Sequence, residues 1–177
     1  MLAIKTKSIT CYSFEKSSII KTMSKVTIKS FDELEKLIGH DLGVSDWHEF
    51  TQDQINLFAD ATLDHQWIHT DSEKAKNESP FGSTIAHGYL TLSMLPHLWD
   101  QIVDVQNLKM QVNYGIDKFK FNQPVLVNSR VRLHAKVISA VNLRGVTKAV
   151  IGVKLEIEGN KKSAFDGEVL FLYHFNS

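Results

Sequence analysis

The sequence predicts an α+β domain in which an antiparallel sheet curls around one buried helix, and three observations carry that prediction. Between Ile85 and Val103 the apolar residues Ile85, Leu90, Leu92, Met94, Leu95, Leu98, Trp99, Ile102 and Val103 fall on so many sides of a helix that it must be covered nearly all round. Three later segments alternate apolar and polar residues with the period of a half-buried strand. These segments follow one another through short turns, the order of an antiparallel sheet and not of a doubly wound parallel one.

Along the chain, residues 1–22 are Ser/Thr/Lys-rich with Glu15 as their only acid, and they read as a poorly ordered leader to a single domain over residues 23–177. They lack the apolar stretch and cleavage site of a secretory signal, and Met23 offers a second start, with a targeting extension as the other reading. Phe31, Leu34, Leu37 and Ile38 recur at helical spacing, and Gly39 supplies a stop. A strand is expected around Asp46–Phe50. Thr51-Gln52-Asp53-Gln54 then has the form of a capping box, opening a helix through Ile55, Leu57, Phe58 and Ala61 that ends before Asp64.

Asp64–Pro80 is polar and is expected as an irregular surface segment with at most one short helical turn. The buried helix follows. Leu108–Phe121 reads as a strand with a bend or bulge at Gly115. Val125–Val137, Thr147–Ile157 and Phe165–Phe175 are the three alternating strands, and Asn142–Gly145 and Glu158–Asn160 are the turns between them.

Composition narrows the function. The 177 residues are 43% hydrophobic and 23% charged, with 20 basic against 20 acidic side chains, as expected of one globular unit with a real core. That balance provides no overall field for a polyanion, so no nucleic-acid partner is expected. The single cysteine, Cys11, excludes an internal disulfide and a cysteine-rich zinc site, and cytoplasm is the expected compartment. No segment reaches the roughly 18 consecutive apolar residues of a membrane span. No dinucleotide-binding glycine motif, Walker A motif or internal repeat occurs.

The densest polar chemistry is Asp64-His65-Gln66-Trp67-Ile68-His69, followed by Ile85-Ala86-His87-Gly88-Tyr89 where the buried helix begins. A carboxylate and an imidazole near neutrality both accept protons, and together they can hold a water. The first N–H groups of a helix have no intrahelical acceptor, and Gly88 lets a ligand approach them. Such donors suit a carbonyl oxygen that becomes enolate-like in a transition state. Taken singly, Asp64 reads as a turn carboxylate, His69 as a hydrogen-bonded structural histidine and Gly88 as a packing glycine; their combination favours hydration of an α,β-unsaturated acyl group. Without a thiolate or a metalloprotease-type motif, and with no two imidazoles placed on one helical face, no metal is expected. His87 reads as a local hydrogen-bonding residue, Trp47 and Trp67 as packing residues, and Trp67 alternatively as part of an acyl tunnel. Lys118, Lys120, Arg130, Arg132 and Arg144 read as a solvated strand face.

Asp64–Asp71 and Ala86-His87-Gly88-Tyr89-Leu90-Thr91-Leu92-Ser93 resemble the corresponding motifs of the MaoC-like (R)-specific enoyl-CoA hydratases, and more closely those of their NodN-like branch. The resemblance runs from about Phe31 to Phe175. It implies the hotdog fold, a homodimer, and reversible syn addition of water to a trans-2-enoyl thioester, with Asp64 and His69 as the catalytic pair and the Gly88 N–H polarising the thioester. It implies no cofactor. Gln66-Trp67 stands where the family's hydratases carry Asn-Pro, and Pro96 falls where some carry a helix serine, whose hydroxyl it cannot replace and where it is able to kink the helix. Two other readings share these residues: a hotdog acyl thioesterase and a non-catalytic acyl-carrier-binding subunit.

Overall fold

A computed structural model describes residues 25–176; the expectations for residues 1–22 and for Met23 lie outside the described residues. The elements in chain order are β1 (Val26–Ile28), α1 (Phe31–Glu35), β2 (Asp41–Val44), β3 (His48–Glu49), α2 (Gln52–Thr62), α3 (Trp67–Thr70), α4 (Ser72–Glu78), α5 (Gly88–Ser93), α6 (Leu95–Ile102), β4 (Val103–Val105), β5 (Leu108–Phe121), β6 (Arg130–Leu143), β7 (Val146–Ile157) and β8 (Phe165–Phe175). The main sheet runs β2-β6-β7-β8-β5, with β3 also paired to β6, and every pairing in it is antiparallel. β1 and β4 form a separate parallel pair.

The alternation seen in the sequence sets the sheet's inner face. Val131, Leu133, Ala135 and Val137 of β6, Ala149, Ile151, Val153, Leu155 and Ile157 of β7, and Phe165, Val169, Phe171 and Tyr173 of β8 are all buried. They meet Leu90, Leu95, Leu98, Trp99 and Ile102 from the helical segment in one core. Trp99 lies 5.5 Å, centroid to centroid, from Phe171. The β6–β7 hairpin closes on Arg144 and Gly145, both at positive φ, a two-residue turn whose twist matches the strands. β5 shifts register between Asn113 and Gly115, at the expected bulge.

Four details differ from the sequence expectation. The central helix is broken into α5 and α6 at Met94, because Pro96 has no N–H to donate and its ring crowds the preceding turn. Asp64–Pro80 is not irregular: it forms α3 and α4, the second capped by the Asp71 carboxylate accepting from the Lys74 N–H at 2.9 Å. Thr51 caps α2 as expected, accepting from the Gln54 N–H, but the Gln54 side chain bonds His48 Nε2 at 3.0 Å and Met94 Sδ at 3.3 Å instead of returning to the cap. The strand expected from Val125 begins only at Arg130. The Ala86 N–H donates to the Val125 carbonyl at 2.8 Å and the Val127 N–H to the Thr84 carbonyl at 3.0 Å. That exchange clamps the entrance of α5 to the rim of the sheet.

Candidate active site

Helix α2 ends with Leu63 in the left-handed region (φ 63°), which turns the chain outward and delivers Asp64 to the surface. The Asp64 carboxylate is half-exposed and accepts from the Gln66 N–H at 3.4 Å. One turn of α3 later, His69 points inward and is buried. Its Nδ1 lies 2.7 Å from the Ile85 carbonyl, an oxygen that only accepts, so Nδ1 carries the proton and Nε2 is left as the acceptor. Burial, chiefly, pushes the His69 pKa below its ordinary value against the opposing pull of that hydrogen bond; His87 adds to the lowering and Asp64 opposes it.

His87 is buried in the angle between two rings. It stacks on His69 at 3.8 Å and meets Phe58 at 5.1 Å, and its Nε2–H donates to the Asp64 backbone carbonyl at 2.9 Å. This histidine therefore ties the Asp64 turn to the start of α5, and its Nδ1 is buried without a partner. Gln52 completes the support: its amide donates to the His69 carbonyl at 2.7 Å and its oxygen accepts from the Thr84 hydroxyl at 2.6 Å. Sequence reasoning gave His87 a hydrogen-bonding place at the helix entrance but not the tie to Asp64, and gave Gln52 no role at the site. Only their neighbourhood to the Asp–His segment and the capping box marked them, and the contacts are made through the fold.

Asp64, His69 and His87 each bring one potential ligand atom within 4.8 Å of the others: the two imidazoles share no helical face and are brought together from α3 and the entrance of α5. The three do not make a metal cage. The His69 and His87 rings lie face to face with only 26° between their planes, so their in-plane lone pairs run nearly side by side and cannot meet on one ion.

His69 and Gly88 open onto one cleft of about 260 Å³, lined also by Ile85, Thr91, Phe121 and Asn122. Asp64 is not among the lining residues, but its carboxylate lies 4.0 Å from His87 Nε2, beside the stacked pair. Gly88 is the first residue of α5, and a Cβ placed there would meet the Phe121 ring at 3.2 Å. The Thr91 hydroxyl donates to the Gly88 carbonyl at 2.6 Å, fixing that turn. Trp67 lies apart from the cleft lining, with Lys74 Nζ 5.0 Å from its ring centroid. Arg132 and Arg130 cover the ring of Trp47 at 4.5 and 5.5 Å.

A family model described as "MaoC like domain" matches residues 33–160. The chain is 43% identical over 148 residues to 3-hydroxyacyl-thioester dehydratase Z of Mycobacterium tuberculosis strain H37Rv, covering 83% of this chain and 97% of that protein. It is 40% identical over 151 residues to nodulation protein N of Rhizobium meliloti, covering 83% of this chain and 92% of that one. Among solved structures, an unliganded (R)-hydratase from Pseudomonas aeruginosa superposes with a TM-score of 0.68 at 18% identity, over 84% of this chain and 87% of that one. A monoamine oxidase regulatory protein from Archaeoglobus gives a TM-score of 0.70 at 21% identity, over 88% of this chain and all of its own (100%). At those identities the structures speak to the fold, which is the hotdog arrangement.

Proposed function

The chain belongs to the MaoC-like domain family, and from that premise we propose that it adds water reversibly to a trans-2-enoyl thioester, giving the (R)-3-hydroxyacyl thioester. The observation that carries the reading is the His69 ring: one nitrogen is tied to Ile85, and the other is left as an acceptor on a ring that lines the cleft where α5 begins. The named activity of the dehydratase relative supports the same class of reaction.

In this reading Asp64 and His69 hold the water between them. One takes its proton as the oxygen bonds to C3 of the enoyl group, the π electrons pass through C2 to the thioester oxygen, and the Gly88 N–H stabilises the charge there. A proton then returns to C2 on the same face, so the elements of water are added without any redox change. The neutral, Nδ1-protonated form of His69 is the one that accepts. His87 and Gln52 hold the pair in register and touch no reacting atom.

Purified protein should lower the enoyl-thioester absorbance to an equilibrium level and yield (R)-3-hydroxyacyl product by chiral analysis. Asp64→Asn should lower kcat by about 10²–10⁴ while the fold is kept; turnover unchanged in that variant would remove Asp64 from the mechanism. Free thiol without hydroxyacyl product would replace hydration by thioester hydrolysis, and binding without either product would leave an acyl-binding subunit.

The working form in this proposal is a homodimer joined along β5, whose outer edge has no partner strand among the described residues. Residues 23–177 act as one unit in this reading, and the cytoplasm is its compartment, which a chain whose one cysteine is Cys11 suits. Among the described residues no helix is long and apolar enough to cross a membrane.

A further inference from the structure

Three cations on the outward side of the sheet are paired with glutamates. Lys118 Nζ lies 2.8 Å from Glu168, Arg130 lies 3.3 Å from Glu158, and Arg132 lies 2.7 Å from Glu156 with Trp47 beneath it. Lys120, Lys154, Lys161 and Lys162 make no ion pair with a carboxylate among the described residues. All four line one hollow of about 480 Å³ together with Asn122, Ser163 and Asp166. The fold causes the convergence. Lys120, Asp166 and Lys154 are register partners in one row across β5, β8 and β7, and Lys161 and Lys162 follow the Gly159 turn of the loop that joins β7 to β8.

The one carboxylate in the hollow is already engaged. Asp166 Oδ1 accepts from the Asn122 amide and from the Ser163 hydroxyl. Four ammonium groups therefore face a single, occupied acid in a chain whose total charge is balanced. An ordinary solvated strand face intersperses its signs, as Lys118, Arg130 and Arg132 do with their glutamates; this hollow does not.

The hollow borders the cleft. Asn122 lines both, and the Asn122 and Gln123 N–H groups donate to the Ala164 carbonyl at 2.8 and 3.4 Å, which fixes the bridge between them. We propose that Lys120, Lys154, Lys161 and Lys162 form a phosphate-binding patch that receives the 3′-phosphoadenosine diphosphate end of a coenzyme A thioester whose acyl end lies in the His69–Gly88 cleft. This rests on the thioester reading above and deepens it. Lysine binds phosphate as a mobile point charge, without the fixed geometry of arginine, and suits a flexible ligand carrying several phosphates. A carrier-protein thioester shares the pantetheine phosphate but presents only one phosphodiester there, so a cluster of this charge favours coenzyme A.

The test is the triple variant Lys154→Gln/Lys161→Gln/Lys162→Gln, all at exposed positions, assayed on one trans-2-enoyl group carried by coenzyme A, by pantetheine and by a carrier protein. The KM for enoyl-coenzyme A should rise at least about tenfold with kcat unchanged, and the difference from wild type should shrink as salt is added. The kcat/KM for enoyl-pantetheine should stay at the wild-type value. An equal loss on coenzyme A and on pantetheine, no loss on coenzyme A, or a loss confined to the carrier protein overturns the proposal. Calorimetry with free coenzyme A reads the patch without turnover: wild type should bind it at least about tenfold more tightly than the variant. Failure of wild type to bind free coenzyme A overturns the patch as well. Lysine-dependent binding in a protein without hydratase activity would sink the hydration reading and keep the patch; hydration with a lysine-independent KM would sink the patch alone.

Discussion

His69 is the residue on which protonation and fold meet. Buried, and bonded through Nδ1–H to the Ile85 carbonyl, it is kept neutral to lower pH than a free histidine, since burial outweighs that hydrogen bond. Its pKa in the folded chain lies below the value near 6.5 that it takes when unfolded, so below about pH 6.5 the unfolded state binds more protons. Stability is undiminished by His69 above that pH and falls as pH drops from there toward the folded pKa. In His69→Asn this part of the acid loss should disappear, and denaturant midpoints measured between pH 7 and pH 5 check it; an unchanged slope would place the destabilisation elsewhere. The neighbouring His87 gives a second prediction. His87→Phe keeps a ring to stack on His69 but loses the donor to the Asp64 carbonyl, whereas His87→Gln places an N–H near the same site. Steady-state assays should show a kcat loss of about tenfold or more in the phenylalanine variant and substantial recovery in the glutamine variant, with KM moved little in both. Equal kcat in the two would reduce His87 to filler.

At the scale of elements, what sequence could and could not show follows from the range of each interaction. The strand faces of β6, β7 and β8 were legible because burial on one side of a sheet leaves a period-two record in the chain itself. The Thr51 cap and the Gly115 bulge were legible for the same local reason. The polar run Asp64–Pro80 was misread as irregular because its helices are too short to show periodicity, and α3 is fixed largely from outside, by Gln52 and Ile85 holding His69. The break between α5 and α6 was half legible: Pro96 announced a disturbance, while the nearly continuous apolar run around it concealed a stop. Gly167 is a further case that only the packed structure reveals. A Cβ there would stand 2.7 Å from Phe119 Cα, a backbone atom that cannot step aside, where β5 shifts register against β8. Gly167→Ala should cost about 1–3 kcal/mol by overpacking, or roughly 3–10 °C in Tm. Scanning calorimetry checks it, and an unchanged Tm would mean that β5 is free to move off β8 at that point.

For the whole molecule the surface to account for is the outer edge of β5, which has no partner strand among the described residues. A sheet that ends on a long, unpaired strand offers its backbone N–H and C=O groups to any other strand, and chains that stay single blunt such edges with charge, proline or a covering element. β5 does so only near its ends, with Lys109 on one side and Asp117, Lys118 and Lys120 on the other. Between them Met110 to Ile116 carries no charge, and Met110, Tyr114 and Ile116 are exposed. Tyr114 and Ile116 also face Leu92, Leu95 and Pro96 across an apolar hollow of about 390 Å³ beside the helix break. A second copy of the same edge, run antiparallel across a twofold axis near the middle of the strand, would satisfy both backbones and cover both hollows at once. Because the axis would pass close to Ile116, a charge introduced there meets its own image, and like charges set opposite one another across a strand pair repel. Ile116→Lys should therefore convert a wild-type dimer into a monomer at micromolar protein, read by sedimentation velocity, while circular dichroism stays that of the folded chain. A wild-type protein that sediments as a monomer, or an Ile116→Lys variant that remains a dimer, would move the interface away from β5.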